Sequence, residues 1–279
     1  MTTTRIRAMH AKAVSNARLR RLPGLALVGV LALATAGCLS SRFGSGPTTT
    51  GGIDPARLEA LSENDLRSVS ETLAQRNARD PGNAAVAMAY AQVLRRMDQR
   101  AQAVAVLQQA SMRNADDRAL AGAYGRALAD AGRFQEAQEV LARAHSPQNP
   151  DWRVLSAQGA VADQLGDAVR AQRFYEAALN IAPGEPTVLS NYGLSLALAG
   201  KLADAEVKLR QAAAHPAADQ RVRQNLALVL GLQGKMDDAE TVLARDLAPA
   251  AVDANLDAIR TMVAQPNSWE RLRRADADG

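Results

Sequence analysis

Alanine recurs at Ala103, Ala137, Ala171, Ala205 and Ala239 of the 279-residue chain, at intervals of 34 residues without a slip. Four further series keep the same register. Ala91, Gly125, Gly159, Gly193 and Ala227 precede these alanines by 12 residues, and Asp98, Gly132, Gly166, Gly200 and Gly234 by 5. Leu107, Leu141, Tyr175, Leu209 and Leu243 follow by 4, and three residues later come Ala110, Ala144, Ala178 and Ala212, with Asp246 in the fifth place. A fixed period of this length means that one small supersecondary unit is stacked on copies of itself.

Each series has a physical reading. Small residues in the first two series let two antiparallel helices approach closely, because only Gly or Ala fits where backbones cross. Glycine in the next series ends the first helix in a left-handed conformation, and Asp98 is a tolerable substitute there. The Leu or Tyr series supplies a large apolar knob, expected to face the next helix pair. Pro81, Pro150, Pro183, Pro216 and Pro249 lie near the unit boundaries, where they are expected to stop the second helices. Composition agrees: apolar residues are 47% of the chain but aromatics only 3%, so the core is built from small side chains in helices.

The pattern resembles the tetratricopeptide repeat. That resemblance implies an all-α fold, a right-handed superhelical array of helix-turn-helix hairpins. Five units are expected at 84–117, 118–151, 152–185, 186–219 and 220–249, with a degenerate half repeat or cap at 58–83 and a capping helix and tail at 250–279. The family's first-helix Trp is replaced by Ala87, Ala121, Leu155, Leu189 and Arg223, and Arg223 predicts less regular packing in the fifth unit.

The first part of the chain is of another kind. Arg5, Arg7, Lys12, Arg18, Arg20 and Arg21 precede an apolar run from Leu22 to Thr35, shorter than the ~20 residues a spanning helix needs. A basic stretch, a short apolar stretch and then small residues describe an export signal, expected over 1–37 with Met1 or Met9 as its start. Thr35-Ala36-Gly37-Cys38 resembles a bacterial lipobox, with Thr35 where Leu is usual, and implies lipidation of Cys38, the only cysteine. Residues 38–57, rich in Ser, Thr, Gly and Pro, read as a flexible tether. Leu39 after the cysteine implies sorting to the outer membrane by resemblance to the known pattern. The formal charge of +4 comes from this segment: without residues 1–37, 27 basic and 29 acidic residues remain, which leaves no argument for nucleic acid.

No phosphate loop, paired metal-ligand spacing or nucleophile elbow is present, so the sequence points to neither an enzyme nor a bound cofactor. One cysteine and three histidines exclude a disulfide scaffold and a Cys/His metal cluster. A hairpin array offers a long groove lined by its first helices, the expected seat of a protein partner. Asn191 and Asn225 share one position in the fourth and fifth units. Their amides either read an extended peptide backbone or face solvent. Gln92, Arg95, Arg126, Arg153 and Arg221 also fall at groove-facing offsets, where arginine suits a carboxylate.

The stretch Arg223 to Gly234, the acylated start at Cys38 and the tail Asn267 to Leu272 resemble the tetratricopeptide lipoproteins of tight-adherence (Flp) pilus systems. That resemblance implies a pilotin-like role: binding a secretin or another pilus-assembly subunit, anchored to the membrane through Cys38, with no nucleotide or metal. Two other readings share the repeat: a lipoprotein scaffold for outer-membrane protein insertion or polysaccharide export, and a cytosolic interaction module.

Overall fold

The computed structural model describes residues 61–264; Cys38, the export segment, the tether and the tail beyond 264 lie outside the described residues. Twelve helices are described and no strand. They are α1 (Glu63–Arg79), α2 (Ala84–Arg96), α3 (Arg100–Arg113), α4 (Arg118–Asp130), α5 (Phe134–Arg143), α6 (Trp152–Gln164), α7 (Ala168–Ile181), α8 (Pro186–Leu198), α9 (Leu202–Ala214), α10 (Gln220–Leu232), α11 (Met236–Leu243) and α12 (Pro249–Ala264). The first helix of every unit is 13 residues long, and each starts 34 residues after the last.

Both ends of these first helices are fixed by repeated chemistry. Asn83, Asp117, Asp151, Glu185 and Asp219, again 34 apart, accept a hydrogen bond from a backbone N–H of the first turn. Such caps satisfy donors that no helix can satisfy internally. At the other end Gly132, Gly166, Gly200 and Gly234 have φ between 75° and 84°, and Asp98 takes the same place at φ 59°. The chain then turns back. The N–H groups of Gln99, Arg133, Asp167, Lys201 and Lys235 donate to carbonyls five residues earlier, closing each helix end.

Each first helix lies against the second helix of its own unit through the small series. A Cβ built on Gly193 would stand 2.6 Å from Leu209 Cγ and 3.2 Å from the carbonyl oxygen of Ala205. On Gly159 it would meet the Tyr175 ring at 2.7 Å, and on Gly125 it would meet Leu141 Cγ at 2.5 Å. The large knob therefore points into the glycine of its own hairpin, and not only toward the next pair as the sequence suggested. All five alanines of the 103 series are completely buried.

The hairpins stack in chain order. Each second helix contacts the first helix of the next unit, and consecutive first helices (α2·α4, α4·α6, α6·α8, α8·α10) also touch. Closer approach of the first helices places them on the inside of the curve. The buried core forms two main clusters that meet at α6: Val154 and Val161 complete the first, while Leu155 and Ala162 open the second.

The fifth unit departs from the pattern in a compensated way. Arg223, in the place of Ala or Leu, forms an ion pair with Asp246, in the place of Ala, and also donates to the Ala218 carbonyl at 3.1 Å. The irregular residue is thus partnered inside its own hairpin. Pro249 does not stop the preceding helix; it is the first residue of α12, where a proline's missing N–H is no loss. Helix α12 buries Val252, Leu256 and Ile259 against α10 and α11, with Ile259 pressed onto Gly231.

Two outcomes follow for stability. Gly193→Ala lowers it by about 1–3 kcal/mol through overpacking, although the same change in an open helix raises it by ~1 kcal/mol; urea denaturation measures the sign. Asp246→Ala alone lowers stability by about 1–3 kcal/mol because Arg223 is left half-buried and unpaired. The double change Arg223→Leu with Asp246→Ala, which copies Leu189 and Ala212, returns it to within about 1 kcal/mol in the same assay.

Candidate functional site: the groove of the first helices

At 100° per residue, positions 85, 89, 92 and 96 of α2 and their 34-residue equivalents fall on a strip roughly 60° wide, turned away from the second helix. This strip lines the concave side. Its chemistry changes along the array. The 92 series reads Gln92, Arg126, Ala160, Leu194 and Leu228, and the 96 series reads Arg96, Asp130, Gln164, Leu198 and Leu232. These two series pass from polar and charged to apolar along the array, while the 85 and 89 series run the other way, from Ala85, Ala119, Ala89 and Ala123 to Thr187, Arg221, Asn191 and Asn225. Leu198 is 38% exposed, and Leu194 and Leu232 are half-buried.

Gln92, Arg126 and Arg153 lie on this strip in the first three units, and Arg95 lies beside it. Arg95 pairs with Asp130 of the next first helix, and Arg100 donates to the Asp130 carbonyl at 3.3 Å. Arg153 is exposed, with its guanidinium 4.3 Å above the Trp152 ring. Arg126 lies between them, half-buried over Gly122: a Cβ there would be 3.5 Å from Arg126 Nη1. Burial first, and Arg95 next, hold its pKa below the usual guanidinium value; Arg153 adds to this, while Asp151 and Asp130 oppose it. The structure brings these three arginines within electrostatic reach of one another. Gln92 Oε1 is buried without a hydrogen-bond partner, one repeat from Arg126.

The other three candidates lie further along the array. Arg221 is exposed and pairs with Asp219 at 3.0 Å. Asn191 and Asn225 are half-buried, and their side-chain N–H groups donate to Ser156 Oγ at 3.3 Å and Ser190 Oγ at 3.0 Å. Each bond crosses from one first helix to the preceding one. Where the asparagine gives way to alanine, at Ala123 and Ala157, the serine is absent too, replaced by Met88 and Gly122. The two rungs therefore fasten repeat to repeat. Sequence reasoning passed over these serines, although their 34-residue spacing was visible.

A buried polar cluster also escaped it. Asp163, at the C-terminal end of α6, accepts from Ser195 Oγ at 2.7 Å and from Tyr175 Oη at 3.0 Å. Burial outweighs these two bonds and pushes its carboxyl up to about 6. The Tyr175 ring stacks on Tyr192 with centroids 5.8 Å apart, and Tyr192 donates to Glu176 at 2.8 Å. Two hollows lie outside the groove. One of about 220 Å³ is lined by Gln138, Gln158, Leu165, Arg170 and Phe174 among others; an open one of about 510 Å³ is lined by Leu179, Leu189, Lys208 and His215 among others. Neither shows a converging set of catalytic groups. Among the described residues no group of His, Cys, Asp and Glu suits a metal ion, and no helix is long and apolar enough to cross a membrane.

Solved structures with the same arrangement are numerous. PilW, a widely conserved type IV pilus biogenesis factor, matches with a TM-score of 0.55 at 19% identity, over 68% of this chain and 90% of PilW. The fold is a tetratricopeptide-repeat array. Pseudomonas aeruginosa PilF matches with a TM-score of 0.52 at 18% identity, over 80% of this chain and 94% of its own. A monomeric mutant of IFIT1 with Gppp-AAAA matches at 0.60 and 15% identity, over 79% of this chain and 56% of IFIT1. No protein-family model and no curated protein matches the sequence.

The Asp163 carboxyl sets a pH dependence. Its folded value, about 6, lies above the ordinary 3.8, so the folded chain holds a proton that the unfolded chain has released between those values. Its contribution to stability is full below about pH 4 and is lost as pH rises through 6. Tm measured at pH 5 therefore exceeds that at pH 7 by several degrees more in the wild type than in Asp163→Asn. Equal pH profiles for the two proteins would refute the assignment.

Proposed function

We propose that the chain is a non-catalytic outer-membrane lipoprotein scaffold, similar to the Flp/tight-adherence pilus assembly protein TadD, that takes a protein partner into its groove. Its role is that of a pilotin-like assembly factor for the secretin, or another subunit, of a Flp/Tad pilus secretion system. The observation that carries this reading is the extent of the structural match. The array corresponds to nearly the whole of PilW, a type IV pilus biogenesis factor (90%), and of Pseudomonas aeruginosa PilF (94%), so little of either lies outside the shared fold. The lipobox at Cys38 and the residue after it, Leu39, support attachment to the outer membrane, with the tether setting the array close to the bilayer.

The function follows from what such an array does physically. First helices held in one register by packing present a rigid, continuous strip, so a partner segment binds without ordering the receptor. A lipid anchor confines that strip to a membrane surface, which raises its effective concentration toward a pore subunit that must reach the same membrane. Nothing in this scheme requires a nucleotide or metal.

Growth with labelled palmitate tests the anchor: the label appears on the wild-type chain, is absent from Cys38→Ser, and its processing is blocked by globomycin. An unlabelled wild-type chain would leave only the cytosolic interaction module. Photo-crosslinking from position 198 in native membranes tests the partner, with secretin recovered and the outer-membrane level of secretin falling several-fold in a deletion strain. Crosslinks confined to a protein-insertion or polysaccharide-export component would replace the pilus reading with that scaffold role.

A further inference from the structure

The hollow of about 220 Å³ lies between the second helices α5 and α7, with the first helix α6 as its floor. Consecutive second helices pack against each other less than consecutive first helices do, so space opens on this side of the array. The third unit also supplies less bulk here than the others. Ala162 stands where they carry Leu94, Leu128, Leu196 and Leu230, all four of them buried. Gln158 stands where the first, second and fourth units carry Tyr90, Tyr124 and Tyr192. Both replacements line the hollow. An alanine in a leucine's place leaves space that its surroundings close only in part. The hollow exceeds the roughly 150 Å³ that holds benzene in an apolar protein cavity, so an aromatic ring has room.

The lining shows what such a ring carries. Val161, Ala162, Leu165 and Phe174 are apolar, and the mouth is polar. Gln158 is only 7% exposed, and its oxygen accepts from His145 Nε2 at 3.1 Å, which leaves its NH2 to donate. Arg170 is exposed, with its guanidinium 5.4 Å from the Phe174 ring centroid, and Asp167 accepts its backbone N–H at 3.0 Å. One cation and one anion at the mouth leave no net charge, which suits a neutral oxygen rather than a carboxylate or phosphate. The other units show what the position of Arg170 does. Its equivalent Gln102 donates to Tyr90 Oη at 2.9 Å, and its equivalents Glu136 and Asp204 stand within electrostatic reach of Tyr124 and Tyr192. In three units, then, a first-helix tyrosine meets the residue twelve positions later. In the third unit that residue is present and the ring is missing.

We propose that this hollow is a socket for a tyrosine side chain of a protein partner, away from the first-helix groove and independent of what the groove holds. The ring takes the space left by Gln158 and Ala162 against Leu165 and Phe174. Its hydroxyl oxygen accepts from the Arg170 guanidinium, which can only donate, as Tyr90 accepts from Gln102. A phenylalanine fills the same space and leaves Arg170 without that acceptor.

The test follows the Ala162 and Val161 methyl signals by NMR of the full chain in detergent. The probe is N-acetyltyrosinamide, and the control is N-acetylphenylalaninamide. In the wild type both methyl signals shift saturably, with a Kd five-fold or more lower for the tyrosine probe. Arg170→Ala brings the two probes within two-fold, and Arg170→Gln, which copies the first unit, restores the preference. Ala162→Leu fills the hollow: neither probe then shifts the Val161 signals, and Tm rises. The proposal is overturned by an absence of saturable shifts or equal binding of the two probes in the wild type. An unchanged preference in Arg170→Ala, or retained binding or a lowered Tm in Ala162→Leu, also overturns it. So does binding of p-cresol ten-fold or more tighter than the tyrosine probe, in favour of a free small aromatic molecule. In native membranes a photo-crosslinker at position 165 attaches to a partner within a few residues of a tyrosine. Ala162→Leu abolishes that product while crosslinking from position 198 in the groove is unchanged, which separates the socket from the groove. Attachment from position 165 only to lipid or to residues 265–279 of the same chain would overturn the partner.

Discussion

The close crossing of two helices within each hairpin supports everything else in this molecule. A glycine or alanine on the first helix receives the leucine or tyrosine sixteen residues later, and no further atom fits between them. Because that contact is local in sequence, each hairpin forms from neighbouring residues, and its outer faces are then identical enough to stack on the next. The aromatic-poor composition is the consequence. A core assembled from alanine and glycine series takes few rings; Tyr175, in the place of a leucine, finds Asp163 for its hydroxyl, and Tyr90 and Tyr192 are the other buried tyrosines.

Positions that break the repeat are the informative ones. Arg223 and Asp246 each depart from an apolar series, and together they restore neutrality in one hairpin. Asn191 and Asn225 depart from an alanine series, and each is met by a serine on the preceding first helix. Asp163 stands where the following and preceding units carry Ala129, Ala197 and Gly231, and it is tied to two neighbouring helices. In all three cases the exception is matched by a second exception close in space. A repeat array isolates such residues clearly, because the other units show what each position holds when only packing matters.

The fold was legible in the sequence because a 34-residue period, left-handed glycines and small crossing residues are each local requirements with few residue solutions. Even the substitution of Asp98 for glycine was readable, since Asp is among the few residues that tolerate φ of 59°. The site was legible only in part. Helical periodicity put Gln92, Arg95, Arg126 and Arg153 on the groove side, but offsets along one helix do not say which side chains meet across helices. That Arg95 is held by Asp130 and that Asn191 and Asn225 bond to serines both depend on the separation and rotation of stacked first helices.

The sequence by itself determined the unit, its length, its number of copies and the strip of residues that faces inward, because hydrogen bonding and sterics within about 34 residues permit one hairpin. Only the tertiary structure decided which charges pair with one another. Pairing between repeats is set by distances of a few ångströms across helices more than 30 residues apart in the chain, and electrostatic energy at such distances is decided by geometry and burial rather than by composition.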